Sequence, residues 1–335
     1  MKKLLSLLLA LTMLLTLTVY GSAEEAEEAE VVTLVMAETD SSGSVVGEMN
    51  TFFKRRVEEL SGGSLKIDIQ ADGALGTEEE VLDSVMSGSD QIDMACISAF
   101  ALNPYGVQKT VFCTLPFVFE SPDHFCDFAG SELADEFLNE PQELGLPVRG
   151  LYFGERGFRN FFTKEPVQSV EDLAGLQLRV PDDPVLNGLV EGLGASPTEI
   201  PFDELYAGLE AGECDGAEQS IGVYKDSAFN QVAPYLILDG HTPDAVQVII
   251  TDNAWNKLTE EQQGWIMQIA EFMQSYNLGY IESSESKALR ELEEAGVTVI
   301  EVEDKEPLAE AVADLLEPYT TGEMGQIYDQ IEAMK

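Results

Sequence analysis

Cationic side chains are scarce in this chain. Eighteen Lys and Arg residues stand against 62 Asp and Glu, and only two residues are histidine, leaving a formal charge of −44. Nucleic acid binding needs a Lys- and Arg-rich surface that displaces counterions, so nucleic acid is not an expected partner. Anionic membrane surfaces are disfavoured by the same charge. A small anion would also be repelled, although salt screens that repulsion beyond about 8–10 Å. Any bound anion therefore requires a local cationic pocket.

Metal-ligating and nucleophilic signals are equally thin. Neither His124 nor His241 lies in HExxH or beside another ligand type. The four cysteines, Cys96, Cys113, Cys126 and Cys214, show no CxxC or Cys/His spacing, so no metal site is expected. Two readings of them stay open: a Cys113–Cys126 disulfide, which export would permit, or four free buried thiols. G-x-S-x-G, Walker and dinucleotide-binding glycine motifs are missing. Acidic pairs are so frequent that none stands out as an acid/base couple. No catalytic residue and no cofactor is expected, and the chain does not read as an enzyme.

There is one long apolar run. Lys2 and Lys3 precede "LLSLLLALTMLLTLTV", and Gly21, Ser22 and Ala23 follow, which reads as a signal peptide over residues 1–23. The run is short for a membrane span, and no cysteine near Tyr20 offers a lipid attachment point. "EEAEEAE" over residues 24–30 reads as an acidic tether. Export implies a secreted protein, in the periplasm or on the extracellular face of the cytoplasmic membrane.

The remaining length suffices for two domains. "VVTLVMA", "SLKIDIQ" and "QIDMACIS" read as strands, with helices over Val45–Leu60 and after Thr77 between them. This β-α-β-α-β rhythm predicts an α/β unit with mostly parallel pairing. Thr77 and Glu80 form a capping-box pattern. "LPVRGLYF" and "RNFFT" read as two further strands. From Thr259 to Gly296 there is no proline, and Trp265, Ile266, Ile269, Phe272 and Met273 recur at helical spacing. One continuous helix there would run about 50 Å and cross two domains; the alternative is a break near Gly279.

Four arginines, Arg149, Arg156, Arg159 and Arg179, cluster in sequence. In "DLAGLQLRVP", Leu176, Leu178 and Val180 alternate with Gln177 and Arg179, so Arg179 points away from the apolar face. The guanidinium fork matches a carboxylate bidentately. Arg159 opens "RNFFTKEP", and if its strand neighbours that of Arg179 the two could converge. Pairing with the abundant Asp and Glu is the competing reading.

Several motifs in order, "ADGALGTEEEVLDSV", "LPFVF", "DLAGLQLRVP", "LGASPTEIPFDELYAGLEAGECDGAEQS" and "APYLILDGHT", resemble the solute-binding proteins of tripartite ATP-independent periplasmic (TRAP) transporters, the DctP-like family. The resemblance runs from about Val31 to the C-terminal region. It implies a periplasmic-binding-protein-like fold of two α/β domains with a ligand cleft, hinge strands and a long helix spanning both. On that basis domain I takes residues 31–155 plus 245–284, and domain II residues 156–244 plus 285–335.

The resemblance also implies a role for particular residues. Arg179 would clamp a substrate carboxylate, with Arg159 as the second arginine and Phe202 lining the pocket. Gln219 falls where the family carries an asparagine, followed by Ser220 in place of proline, so its reach to the ligand differs. Glu78 and Ser98 fall where relatives touch the ligand's distal polar groups. His241 reads as a structural residue near the domain crossover. "RNFF", "DGAE" and "LDGHTPDA" resemble the binders of uronates and other sugar acids more than those of four-carbon dicarboxylates. The implied partners are a small-molecule carboxylate and the TRAP membrane permease, with the binding protein a monomer. The alternatives are a ligand-sensing subunit of the same fold, a dicarboxylate binder, a secreted carbohydrate-active enzyme, and a structural surface protein with an empty cleft.

Overall fold

The computed structural model describes residues 31–335 apart from residues 168 and 303. The expected signal peptide and acidic tether lie outside the described residues. Strand β1 (Val32–Ala37) is flanked by β2 (Leu65–Gln70) and β3 (Met94–Ser98), both parallel to it. The crossovers are the helices Val45–Leu60 and Glu78–Met86. Ser44 caps the first by accepting from the Gly47 N–H, and Thr77 and Glu80 close the expected capping box on the second. Val46, Met49, Phe53 and Val57 sit at helical spacing and bury one face against Leu34, Met36, Ile67 and Met94.

Two long strands carry the sheet across the molecule. β4 (Val148–Thr163) and β9 (Thr242–Thr251) are antiparallel, and β9 also pairs with β3. Beyond the end of β9, β4 continues antiparallel to β7 (Gly216–Ser220) and β8 (Tyr235–Leu238). β7 runs parallel to β5 (Gln177–Arg179), which pairs with β6 (Ser196–Thr198), while β8 pairs with β10 (Thr298–Glu301). The main order is β2-β1-β3-β9-β4-β7-β5-β6. The sequence pattern divided β4 into two short strands; the structure joins them. Its register slips between Glu155 and Phe158, and Gly157 there adopts φ +100°. A glycine at positive φ lets the strand bulge and bend without ending.

The helix expected from Thr259 is continuous. It runs Glu260–Glu294, 35 residues, and Thr259 and Gln262 form a capping box at its start. At 1.5 Å per residue it is about 50 Å long. Ile266, Ile269, Ala270 and Met273 join the cluster around β1, whereas Ala288 and Leu292 join the cluster holding Phe162, Leu205, Ala217 and Leu236. The helix therefore bridges two cores. The segment after it also serves two clusters. Leu308 and Val312 pack with Leu178, Leu186 and Leu189, and Ile327 and Ile331 of the last helix (Gly322–Glu332) pack with Phe112, Phe119, Phe125 and Phe137. All four cysteines are free thiols, so Cys113 and Cys126 are not bridged; Cys96, Cys113 and Cys214 are buried, whereas Cys126 is half-buried.

Candidate ligand site

Arg179 ends β5. Leu178 and Val180 are fully buried among Leu186, Leu189 and Val190, and the alternation of the strand turns Arg179 to the opposite face, where it is only 5% exposed. Its Nε donates to the Ile200 carbonyl at 2.8 Å. Its Nη1 is buried without a hydrogen-bond partner, and no carboxylate lies within ion-pair distance among the described residues. Burial lowers the proton affinity of the guanidinium; Glu218 opposes that and Arg159 adds to it. A buried, unpaired cation is costly unless an anion arrives to pair with it.

Arg159 is differently placed. Its Nε and Nη2 bond both oxygens of Glu218, and its Nη1 donates to Asp244 at 2.8 Å. A guanidinium has five N–H donors, so two remain for a ligand. Its strand is not the neighbour of β5, as the sequence pattern had it. β7 lies between them, with Ser220 opposite Arg159 and Ala217 opposite Arg179. The order of strands in a sheet is set by crossovers that chain order does not show.

The carboxylates around Arg159 belong to a buried chain of charges. Burial pushes the Glu218 carboxyl up, but Arg159 and His241 outweigh it and hold the group at about 2. Burial lowers the His241 pKa, and Asp239 and Glu218 reverse this to about 9. His241 Nδ1 lies 2.6 Å from Asp239 Oδ2, and its Nε2 lies 3.4 Å from Glu218. On the other side Arg156 donates to both oxygens of Asp40 and lies 3.5 Å from Asp244. The Asp40 N–H donates to Glu38, whose carboxyl burial and Asp40 push up to about 8. Alternating charges thus run from the end of β1 through β4 and β9 to the turn before β9. Arg149 stands apart, bonded to Gln142 and Asp252 and stacked over Trp255.

The other expected residues fall into two groups. Gln219 is buried on β7 beside Glu218, opposite Asn160, and its amide makes no hydrogen bond to the protein among the described residues. Phe202 is 46% exposed and meets Phe229 edge-on at 5.9 Å. Glu78 and Ser98 meet each other: the Ser98 N–H donates to Glu78 Oε2 at 2.6 Å. Burial raises the Glu78 pKa, which the Ser98 bonds and Arg156 partly offset.

A cavity of about 870 Å³ lies between residues 78–111 and residues 182–185, closed on a third side by Pro318, Tyr319 and Met324. Glu78 and Asp183 line it; Ser98, Arg159, Arg179, Phe202 and Gln219 do not. Among the described residues no group of His, Cys, Asp and Glu is arranged to hold a metal ion, and no helix is long and apolar enough to cross a membrane. Sequence reasoning missed Glu218, Asp244, Asp239 and Asp40. Each is one acid among 62, and only the sheet order singles it out.

A family model described as bacterial extracellular solute-binding protein, family 7, matches residues 36–321. The chain belongs to this family, the DctP-like solute-binding proteins of TRAP transporters. The family is a substrate-binding component of transport. A TRAP solute-binding protein from Pseudomonas putida F1, solved with bound D-glucuronate, is 27% identical and superposes with a TM-score of 0.82 over 90% of this chain and 96% of that one. One from Polaromonas sp. JS666, bound to D-erythronate, is 26% identical with a TM-score of 0.83, over 91% and 99%. The 2,3-diketo-L-gulonate-binding periplasmic protein of Escherichia coli K12 is 25% identical over 89% of this chain and 88% of its own length. The fold is therefore the two-domain α/β fold of periplasmic binding proteins.

Proposed function

We propose that this DctP-like protein captures a sugar acid, a uronate or an aldonate, through Arg179 and delivers it to a TRAP-type permease outside the cytoplasmic membrane, without chemical change. The observation that carries the reading is the buried guanidinium with an unpartnered Nη1. A carboxylate entering a cleft loses hydration, and a charge-assisted pair with the planar fork offsets that loss. Arg159 contributes its two spare N–H groups, and Gln219, with no protein partner, contributes an amide. Phe202 offers an apolar face for a ring. Glu78 and Ser98, together with the cavity lined by Glu78, Asn103, Tyr105 and Asp183, suit the hydroxyl end of the ligand. Burial raises the Glu78 pKa, and the residue lies on the cavity wall. The relatives solved with D-glucuronate and D-erythronate, and the one named for 2,3-diketo-L-gulonate, support the same class, since each ligand joins a carboxylate to a hydroxylated chain.

Two domains, 31–155 with 245–284 and 156–244 with 285–335, closing at the β4 and β9 crossings, complete the reading. The register slip at Glu155–Phe158 supports a hinge there. Thermal unfolding against uronates, aldonates, four-carbon dicarboxylates, neutral sugars and amino acids tests the proposal. A ligand at a hundredfold excess over its Kd adds about 2.7 kcal/mol, a shift of a few degrees. A shift with sugar acids alone supports it, a shift with dicarboxylates alone moves the substrate class, and a shift with neutral sugars that survives Arg179→Ala overturns the clamp.

A further inference from the structure

We propose that Glu155 and Glu285 form a proton-operated latch that holds the long helix against the bend of β4. Glu155 lies at the register slip and is 2% exposed. Its backbone is pinned to the helix: its N–H donates to Asn277 Oδ1 at 2.7 Å, and Asn277 Nδ2 donates to its carbonyl at 3.2 Å. Its side chain has no such anchor, because Oε2 is buried without a hydrogen-bond partner. Glu285 lies about two turns beyond Asn277 on the same helix, and its Oε1 is also buried and unpartnered. The Glu285 carboxyl rests on the backbone of Gly157. A Cβ at that residue would fall 2.0 Å from Oε1, so the bare backbone at φ +100° forms the seat.

Among the described residues no cation pairs with either carboxyl. The charged groups acting on Glu155 are Glu285 from the long helix and Asp244 from β9, both acidic, and Asp244 is already paired with Arg159. The helix Pro122–Ala129 presents Cys126, on which Asp127, Glu155 and Asp123 act. The helix Ile221–Asp226 presents Lys225, which pairs with Glu291, and Asp226, which acts on Tyr280. The helix Val45–Leu60 presents Glu48, which also acts on Tyr280. Among the described residues no third metal-ligating side chain is grouped with the pair. Glu155 is buried and Glu285 is half-buried with its Oε1 buried, so ionising both without a cation is costly. Burial lifts Glu285 to about 7, and burial, followed by Glu285 and Asp244, lifts Glu155 well above the usual carboxylate range. Both folded values exceed the free ones. The contribution of Glu285 is therefore full below about pH 4.5 and is lost as pH rises through about 7.

The link to ligand capture rests on reading the β4 crossing as the hinge, and the test separates the two. Hydrogen–deuterium exchange of the full chain, corrected for intrinsic rates, is compared at pH 5.5 and 8.5 over residues 153–158 and 281–289. The expected result is a loss of protection of about tenfold or more at pH 8.5, abolished in Glu285→Gln and Glu155→Gln, which mimic the protonated groups. Equal protection at both values in the natural protein overturns the latch, as does a pH response that survives in the double variant. Solution scattering with and without D-glucuronate reports the hinge separately. Unchanged dimensions on ligand binding would remove the hinge reading while leaving the exchange result to judge the latch.

Discussion

Arg159 and Arg179 flank one strand, β7, from opposite sides, opposite Ser220 and Ala217 respectively. Arg159 spends three of its donors on Glu218 and Asp244, whereas Arg179 donates once, to a carbonyl, and keeps a buried Nη1 with nothing to bond. One arginine is tied into the fold by ion pairs, and the other keeps a buried donor without a partner.

That contrast gives opposite outcomes for Arg179 and stability. Arg179→Met removes an unpaired buried cation, so the ligand-free protein should melt no lower than the natural one. Binding of the acid found in the panel should weaken by more than about a hundredfold, since two charge-assisted hydrogen bonds of about 1.5–3 kcal/mol each are lost. Arg179→Lys should bind nearly as poorly, because an ammonium lacks the fork. Calorimetric titration and thermal unfolding read both effects. A large drop in melting temperature with binding retained would make Arg179 structural.

Glu218→Gln should behave in the reverse way. It leaves Arg159 buried with one charge partner fewer, and removing one member of a buried pair costs about 3–5 kcal/mol. Arg159→Met with Glu218→Leu should cost less than the sum of the single changes, because neither charge is then left alone. Chemical denaturation of the natural protein, Arg159→Met, Glu218→Leu and the double variant gives the coupling, and additive losses would mean that the pair is not a unit.

The periodicity of the chain made the first three strands, the Thr77–Glu80 capping box and the long helix readable, since each is a local pattern. Arg179 was readable for the same reason: Leu178 and Val180 fix which way it points. The relation between Arg159 and Arg179 was not, because β7 enters between their strands from later in the chain. The joining of "LPVRGLYF" to "RNFFT" was hidden too, as the glycines between them look like a turn until the bulge at Gly157 is seen. Glu155 and Glu285 look like surface acids in a chain with 62 of them, and only packing shows Glu155 buried and the Glu285 Oε1 enclosed.

The His241 network sets an expected pH response. His241 is raised to about 9 in the fold, so its contribution to stability is complete below about 6.5 and is lost as pH climbs through 9. Glu218 is held at about 2, so its contribution is complete above about 4.5 and is lost as pH falls through 2. Denaturation midpoints should therefore fall from pH 7 to pH 10, and the fall should be shallower in His241→Gln. An equally steep fall in the variant would place the titrating group elsewhere.

Gly157→Ala tests the seat of Glu285 on β4. An alanine at φ +100° carries backbone strain of about 1–2 kcal/mol whatever surrounds it. In the natural protein its methyl group would also strike the Glu285 carboxyl, 2.0 Å away from the ideal Cβ position. The total loss should therefore exceed the strain alone. In a Glu285→Ala background the obstacle is gone and only the strain remains, so the same substitution should cost less there. Denaturation of the four proteins separates the two parts. Equal losses in both backgrounds would mean that the carboxyl gives way freely, and that the long helix is not held to the strand at this point.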